Sequence, residues 1–232
     1  MPEIQLQNIL NMKKLYSFVV AAMLCTSAAF AQSAIVSSSS SSITEAEGQT
    51  KSNTQWIVRA GANFAKFTGD DAEGLDRKLC YDVALSFQKP LSDNGMFWGM
   101  ELGLGSRGYS YEGEYHGDFK QNLLAHNIRF SPFTFGDVYK INESVKIAAH
   151  IGAWDSYDLF GKLAEESEGE KESTKISDIE NYNKLDYGLL FGVGLWYNRF
   201  NVDLSAQRGF AKVVKGAKQN TGNIILRVGI AF

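Results

Sequence analysis

The sequence predicts an all-β fold: a closed antiparallel transmembrane β-barrel of about eight strands, connected as an up-and-down meander. Three observations support this prediction. The chain starts with an export signal, its later residues alternate between an apolar and a small or polar face, and its connections alternate in length. Hydrophobic residues make up 44% of the chain, which is ordinary for a soluble protein and is also what alternating strands produce.

The first element is an N-terminal export signal. Lys13 and Lys14 supply positive charge, residues 15–30 are apolar or small, and an A-x-A cleavage sequence ends at Ala31. This is the order of parts in a secretory signal peptide, and the apolar run is short for a membrane-spanning helix of about 20 residues. We therefore predict a signal peptide over residues 1–31, cleaved after Ala31.

The chain that remains after cleavage begins with a polar leader and carries little net charge. Residues 32–54 include six consecutive serines and cannot form a core, so we predict a flexible leader there. Cleavage removes Cys25 and leaves Cys80, so no intramolecular disulfide is expected. Of 23 basic and 26 acidic residues it removes two lysines and one glutamate, leaving 21 and 25, a net charge of −4. We expect no nucleic-acid partner.

Eight segments between residues 55 and 232 have the period of two that is typical of strands with two different faces. In the first segment, Trp56 and Phe64 share an apolar face, whereas Arg59 lies on the other. The fourth segment is less regular, and Pro132 either limits its end or marks a β-bulge. The predicted strands cover residues 56–67, 79–88, 96–107, 124–130, 145–152, 185–197, 200–207 and 223–232.

The two faces of these segments differ in size as well as in polarity. From the second segment onward, the apolar faces include Val83, Leu102, Ile128, Ile147, Leu189, Leu204 and Leu226. The opposite faces are rich in Gly, Ala and Ser, which suits the narrow interior of an eight-stranded barrel. We therefore predict that the small and polar face lies inside the barrel and that the apolar face, including Leu102, Leu189 and Leu226, contacts lipid.

A few charged residues also lie on the faces predicted to be internal. Inside a barrel such charges have to pair with one another or with water. We interpret them as structural ion pairs rather than as the lining of a pore, because eight strands leave no open channel. These predicted lumen charges are Arg59, Glu101, Arg107, Arg129, Asp186, Asp203 and Arg227.

The connections between the predicted strands alternate in length. The mostly long ones are residues 68–78, 108–121, 155–184 and 208–222, and the shorter ones are residues 88–95, 135–144 and 198–199. This asymmetry predicts long loops outside the cell and both ends of the domain on the periplasmic side of the bacterial outer membrane.

Aromatic residues cluster near the predicted strand ends. Such rings are typical of the girdles that form where a barrel crosses the lipid–water boundary, although a soluble fold would bury the same rings in its core. We predict girdle positions for Trp56, Phe87, Trp98, Tyr109, Tyr111, Phe130, Phe133, Trp154, Tyr157, Tyr197 and Phe200.

Two segments carry a resemblance to a known family. The glycine-spaced strand Asp186–Leu195 is followed by Phe200–Phe210, which ends in Arg-Gly-Phe. Together with the export signal, this resembles the PorT-like outer-membrane β-barrel proteins of the Bacteroidetes type over residues 55–232. The resemblance implies a fold and a location but no reaction. The last strand, ending at Phe232, also resembles the C-terminal signal read by the barrel-assembly machinery.

The sequence contains little that indicates catalysis. His116, His126 and His150 have no carboxylate or histidine at metal-ligand spacing, and no G-x-S-x-G, H-E-x-x-H or P-loop pattern occurs. A lipid-modifying enzyme stays an alternative, in which His126 would act beside Ser110 or Ser156. We predict no enzyme activity, no metal site and no cofactor.

The predicted task is structural or interactive. We expect a monomeric barrel in outer-membrane lipid, inserted by the barrel-assembly machinery and presenting loops to an unknown extracellular partner. The tract from Glu165 to Glu180 holds seven acids and two bases, and it is either a solvated mobile loop or a surface for divalent cations or a basic partner. A conduit for small solutes or hydrophobic ligands is a further alternative.

Overall fold

The computed structural model describes residues 54–114, 118–167 and 169–232. The predicted signal peptide and residues 32–53 of the predicted leader lie outside the described residues. Within the described part of the chain, no helix has the length and apolar character needed to cross a membrane. The strands in these residues belong to one antiparallel sheet.

The described residues contain nine strands and a single 3-10 turn at Asp70–Ala72. The strands are β1 (Gln55–Thr68), β2 (Asp76–Pro90), β3 (Phe97–Glu114), β4 (Asp118–Lys140), β5 (Val145–Ser167), β6 (Glu170–Lys175), β7 (Leu185–Tyr197), β8 (Phe200–Gly209) and β9 (Asn220–Ala231). Eight of them coincide with the eight predicted segments, and β6 is additional.

Eight of the strands close into a ring. Their hydrogen-bonded order is β1-β2-β3-β4-β5-β7-β8-β9, and β9 pairs with β1 again. At this seam the amide of Phe232 donates to the carbonyl of Trp56 at 2.9 Å, and the amide of Trp56 donates to the carbonyl of Phe232 at 3.2 Å. β6 lies outside the ring and pairs with β5. The predicted antiparallel meander of eight strands is therefore confirmed.

The strands are staggered as they pass around the ring. When the paired residues are followed from Gln55 across each neighbouring strand in turn, the path returns to β1 at Ala65, ten residues after its start. A closed barrel with such a stagger has strands tilted by about 35–45° from its axis. With eight strands, the interior is only wide enough for side chains to fill it.

The apolar residues face outward, as predicted. Leu102, Leu189 and Leu226 are 52%, 50% and 45% exposed on the outside of the ring. Along β7 the exposed residues alternate with buried ones from Asp186 to Tyr197. A water-soluble sheet would bury this apolar face, whereas here it is available to lipid, so the inside-out arrangement is confirmed.

Apolar side chains close the barrel interior at both ends. At the end with the short turns, Ile57, Phe97, Ala148, Trp196 and Ala231 pack together. At the end with the long loops, a second cluster joins strand residues to loop residues: Phe67, Ala72, Leu75, Leu123, Ala125, Ile176 and Val213. We call these two ends the short-turn end and the loop end. Most of the buried polar and charged residues lie between these two clusters.

Several predicted strand boundaries are wrong, and the strands are longer than expected. β4 continues past Pro132 to Lys140, and its register with β5 shifts between Phe130 and Phe133, so Pro132 lies in a β-bulge rather than at a strand end. The predicted turn at residues 135–144 is reduced to residues 141–144.

Two predicted loops are also largely strand. β3 and β4 remain paired through most of residues 108–121, and the region 155–184 contains the end of β5 and all of β6. Beyond the ring these strands have no lipid on one side, so their residues lack the apolar alternation that predicts a strand.

The predicted aromatic girdle needs three corrections. Trp154 is 3% exposed inside the barrel, where its Nε1 donates to the carbonyl of Leu189 at 3.0 Å. Tyr109 and Tyr111 pack against the apolar cluster at the loop end. The other predicted girdle rings include Trp56 and Phe200, which are exposed at the short-turn end.

Candidate functional site

Six charged residues meet in the middle of the barrel. We call them the central cluster: Arg59 on β1, Asp82 on β2, Glu101 on β3, Arg129 on β4, Asp203 on β8 and Arg227 on β9. Each is buried, and each lies on a different strand of the ring. Three guanidinium groups face three carboxylates, so their formal charges cancel.

Glu101 is the carboxylate around which the three arginines gather. Its Oε1 lies 2.6 Å from Nη1 of Arg227 and 3.2 Å from Nη2 of Arg129, and its Oε2 lies 3.0 Å from Nη1 of Arg59. The hydroxyl of Ser86 also donates to Oε2 at 2.6 Å. The burial of Glu101 is therefore compensated by four donors.

The remaining two carboxylates complete the pairing. Asp82 accepts from Arg129 through both oxygens, and its Oδ1 lies 3.4 Å from Nη1 of Arg227. Asp203 accepts from Nη2 of Arg227 at 3.0 Å and lies 3.6 Å from Nε2 of His150. These extra hydrogen bonds offset much of the cost of burying the charges, although Nε of Arg129 and Nε of Arg227 have no hydrogen-bond partner among the described residues.

A second charged group lies closer to the loop end. Arg107 binds both oxygens of Asp158, with its Nη2 at 2.7 Å from Oδ2, and its Nη1 lies 2.7 Å from Oδ2 of Asp186. The hydroxyl of Tyr182 donates to Asp158 at 2.6 Å, and that of Thr221 donates to Asp186. This Arg107 cluster ties β3, β5, β7 and β9 to the segment that contains Tyr182.

Tyr182 links the Arg107 cluster to the loops. It lies between β6 and β7, outside the ring of strands, and packs against the apolar cluster at the loop end. Burial raises the pKa of its phenol above the usual value; Arg107 opposes this and Asp158 adds to it. The phenol therefore stays protonated and remains a donor to Asp158.

The two charged clusters leave little free space. The cavity lined by Arg59, Glu101, His150 and Arg227 has a volume of about 20 Å³, and the one lined by Asn63, Arg107, Asn127 and Asn223 has about 10 Å³. Each is about the size of one water molecule. The described interior therefore holds these two charged clusters between the apolar clusters at its two ends.

All seven predicted lumen charges lie inside the barrel and form ion pairs. Arg59, Glu101, Arg129, Asp203 and Arg227 belong to the central cluster, and Arg107 and Asp186 belong to the Arg107 cluster. The prediction missed two carboxylates, Asp82 and Asp158, which are both 0% exposed. Asp82 lies on the internal face of a predicted strand and could have been included, whereas Asp158 lies in a region predicted to be a loop.

The residues considered for catalysis are not brought together. His126 lies on the outer face, accepts or donates a 3.2 Å hydrogen bond with the hydroxyl of Tyr81, and stacks on Phe160. Ser156 is buried on the inner face of β5, and Ser110 donates to Asn122 at 2.8 Å. His116 lies outside the described residues. Within residues 54–114, 118–167 and 169–232, no three His, Cys, Asp or Glu side chains form a group that could hold a metal ion.

Strands β3 to β6 form a sheet that continues beyond the ring at the loop end. The β3–β4 pairing ends at Glu114 and Asp118, the β4–β5 pairing reaches Ser167, and β5 pairs with β6. The acidic tract therefore lies mostly in a β-hairpin and not in the predicted loop; its Glu168 is outside the described residues. We call β3–β6 beyond the ring the projecting sheet.

Phe232 lies at the short-turn end, beside the start of β1. It is 70% exposed, and its backbone forms the two hydrogen bonds with Trp56 that close the ring. An outward aromatic at this position agrees with the predicted assembly signal, and recognition by the assembly machinery stays a prediction.

A closed ring with an apolar outer face and paired charges inside defines a transmembrane β-barrel. Residues 30–215 match the family described as outer membrane protein beta-barrel domain. This match covers more than half of the 232 residues, and the chain therefore belongs to that family and is a protein of the bacterial outer membrane.

Among solved structures, the chain is similar to several outer-membrane barrels. Ail of Yersinia pestis is 20% identical, with 77% of this chain and 98% of Ail covered and a TM-score of 0.37. Neisserial surface protein A is 16% identical, with coverages of 76% and 97% and a TM-score of 0.39. The outer-membrane enzyme PagL is 13% identical, with coverages of 76% and 98% and a TM-score of 0.44. Among curated proteins, none matches this chain.

Proposed function

We propose that this protein is a non-catalytic outer-membrane barrel that holds the projecting sheet at the cell surface for interaction with an extracellular partner. One observation carries the proposal: apolar clusters lie at both ends of the barrel interior with paired charges between them, whereas β3, β4, β5 and β6 remain paired beyond it. The barrel then acts as an anchor, and the sheet is the part available to a partner. We further propose that it works as a monomer and belongs to the PorT-like subgroup.

The charge of the projecting sheet favours a basic partner. Four glutamates lie on β5 and β6: Glu165, Glu166, Glu170 and Glu172. Among the described residues, the only ion pair that they form is that of Glu166 with Lys171, at 3.3 Å. An excess of acidic side chains attracts basic surfaces, and this attraction weakens as the salt concentration rises. Binding through this sheet should therefore fall with ionic strength.

The filled interior argues against the alternative of a conduit. A solute would have to displace the Arg107 cluster, the central cluster and two apolar clusters, and the cavities beside the charged clusters have volumes of only about 10 and 20 Å³. Breaking buried ion pairs of this kind costs about 3–5 kcal/mol each. The geometry supports an anchor better than it supports a passage.

The arrangement around His126 argues against the alternative of a lipid-modifying enzyme. The contacts of its ring are with Tyr81 and Phe160, while Ser156 is on the opposite face of the barrel wall. A nucleophile and its base have to lie within hydrogen-bond reach of each other. Lipid A from cells that overproduce the protein should therefore have the same mass spectrum as lipid A from cells without it.

Cysteine labelling on intact cells tests the display of the sheet. In a Cys80→Ala background, Glu172→Cys places a thiol on exposed β6, and Asp93→Cys places the matched control in the exposed turn at the short-turn end. A membrane-impermeant maleimide should label the first variant on intact cells and the second only after lysis. Equal labelling of both, or the reverse pattern, would refute the proposed orientation.

Planar bilayer recordings test the closed interior. The refolded protein should give no discrete conductance steps, because the two apolar clusters and two charged clusters occupy the path. A large porin recorded in the same bilayers serves as the positive control. Reproducible steps that persist after repurification would support the conduit and contradict the anchor.

A further inference from the structure

A groove runs along the outside of the barrel near the loop end. It lies between β4, β5 and residues 175–184 and has a volume of about 440 Å³. Its apolar wall consists of Leu124, Leu159 and Phe160, with the buried Ile176 behind them, and the groove also contacts Lys162, Lys175 and Lys184. We call it the lysine groove. A volume of this size is typical of a ligand site.

The groove lies where β5 exchanges one neighbouring strand for another. Pairing with β7 reaches its last partners at Tyr157 and Leu185, and pairing with β6 begins at Lys162 and Lys175. Between these points, β5 makes two backbone hydrogen bonds. The amide of Asp158 donates to the carbonyl of Lys184 at 2.8 Å, and the amide of Ile176 donates to the carbonyl of Gly161 at 3.1 Å. On this side, β5 therefore has no continuous strand partner between Tyr157 and Lys162.

A β-bulge supplies the apolar side of the groove. His126 pairs with Phe160 and Asn127 pairs with Asp158, so Leu159 is an extra residue in β5. The bulge breaks the alternation, and Leu159 and Phe160 both face outward, 49% and 62% exposed. Bulges of this kind redirect side chains and are frequent beside binding sites.

The positive side of the groove is not neutralised by the protein. Lys162 and Lys175 are direct cross-strand partners, a position in which like charges are destabilising. Among the described residues, no carboxylate lies within ion-pair distance of Lys162, Lys175 or Lys184, whereas Lys120 and Lys171 on the same sheet are paired with Glu112 and Glu166. An anion bound between the lysines would relieve this repulsion.

The groove lies where the outer face of the protein changes from apolar to polar. Below it, the outer face of β4 and β5 is apolar, with Ile128 and Tyr157 exposed. Above it, β6 is exposed throughout and its sequence, Glu-Lys-Glu-Ser-Thr-Lys, is polar. A molecule in the groove would therefore have its apolar part beside Leu159 and Phe160 and its charged part beside the lysines.

We propose that the lysine groove binds a phosphate-bearing lipid of the outer leaflet, with an acyl chain along Leu159 and Phe160 and a phosphate between Lys162, Lys175 and Lys184. The proposal goes beyond the display role and does not depend on it. A free phosphate has no apolar part to cover the exposed wall, and a lipid without phosphate has no charge to offset three lysines. Only an anionic lipid would contact both the apolar wall and the lysines of the groove.

Native mass spectrometry of the refolded full chain in maltoside micelles tests this site. The probes are lipid A with two phosphates, the same lipid A after dephosphorylation, and inorganic phosphate. Wild type should retain the phosphorylated lipid in preference to the other two. The variant with Lys162, Lys175 and Lys184 all changed to Gln should lose about fivefold in affinity for each lysine removed.

A matched variant controls for charge alone. Changing Lys120, Lys171 and Lys218 to Gln removes the same charge from the same end of the barrel, but from lysines that are paired with carboxylates. Its affinity for the phosphorylated lipid should equal that of wild type, and Phe160→Ser should weaken the lipid without changing any charge. Equal losses in the two triple variants, unchanged binding in the groove variant, or equally tight binding of dephosphorylated lipid or inorganic phosphate would each overturn the proposal.

Discussion

Arg227 and Glu101 meet inside the barrel, with Nη1 and Oε1 2.6 Å apart, although 126 positions separate them in the chain. The contact connects β9 and β3, two strands that are not neighbours in the ring, across the interior. It can form only when the ring is closed, since β9 reaches this position by pairing with β1. The central cluster therefore reports on closure of the barrel as well as on its stability.

Loss of the carboxylate at the centre of this cluster should destabilise the barrel strongly. Glu101→Gln keeps the size of the side chain but leaves Arg59, Arg129 and Arg227 buried with one negative charge fewer. Removing one partner of a buried charge pair costs about 3–5 kcal/mol. Unfolding by urea in lipid vesicles, followed by tryptophan fluorescence, should show a decrease of that size in the free energy of unfolding.

Glu112→Gln is the control for this change. Glu112 pairs with Lys120 at 3.4 Å, but both side chains are largely exposed, so the pair contributes about 0–1 kcal/mol. If Glu101→Gln unfolded at the same urea concentration as Glu112→Gln, the central cluster would not be a source of stability.

The hydroxyl of Tyr182 should stabilise the loop end. Tyr182→Phe removes the 2.6 Å hydrogen bond to Asp158 but keeps the ring that packs in the apolar cluster. A hydrogen bond to a charged group contributes about 1.5–3 kcal/mol, and the free energy of unfolding should fall by that amount. Vesicle unfolding of both proteins measures the difference, and Tyr139→Phe, a change at an exposed ring, should have no effect.

The contribution of Tyr182 should also depend on pH in a defined direction. Burial raises the pKa of the phenol in the folded protein above that of the unfolded chain, so folding favours the protonated form. The stabilisation is complete below the unfolded pKa of about 10 and is lost as the pH rises through the folded pKa. Ultraviolet difference titration of wild type against Tyr182→Phe should show no phenolate from this residue at pH values where exposed tyrosines ionise.

The ring strands could be predicted from the sequence because lipid and a narrow interior impose opposite demands on alternate residues. In β7, for example, Leu189 is exposed on the lipid side while Gly188 is buried, and β8 shows the same alternation from Phe200 to Gly209. The lumen charges were predictable for the same reason. A charged residue near the middle of such a strand is therefore expected on the inner face, whereas Arg208, close to the loop end of β8, is exposed.

The remaining features lack a local signal. Asp158 is followed by Leu159 and Phe160, which both face outward because of the bulge, so the alternation that would have placed Asp158 inside is interrupted. All six residues of β6 are exposed and therefore show no difference between faces. The apolar cluster at the loop end joins residues as distant as Phe67 and Val213, whose proximity depends on the closed ring.

A positive charge on the outer face should be tolerated at the edge of the membrane but not in the middle. Leu102 is 52% exposed near the middle of the part of β3 that pairs with β2, and Leu102→Arg should cost about 2–4 kcal/mol. Tyr139 is 74% exposed close to the short-turn end, and Tyr139→Arg should cost about 0–1 kcal/mol. Heat-modifiable gel migration after refolding into vesicles would compare the folded fractions, and equal fractions for the two variants would contradict the proposed position of the membrane.

Substitution of an internal glycine should be more disruptive than its small size suggests. Although Gly188 lies on the small inner face, a Cβ added there would lie 1.9 Å from the carbonyl oxygen of Arg208 on the neighbouring strand. The backbones of β7 and β8 would have to separate there, and overpacking of this kind costs about 1–3 kcal/mol. Gly188→Ala should therefore lower the free energy of unfolding by that amount.

In Gly222→Ala the nearest atom, Cγ2 of Thr68, is 3.4 Å away, an ordinary contact, so this variant should unfold like wild type. Both changes add one methyl group to a strand of the ring. If the two variants lost the same free energy of unfolding, the close approach of the β7 and β8 backbones at Gly188 would not explain the loss.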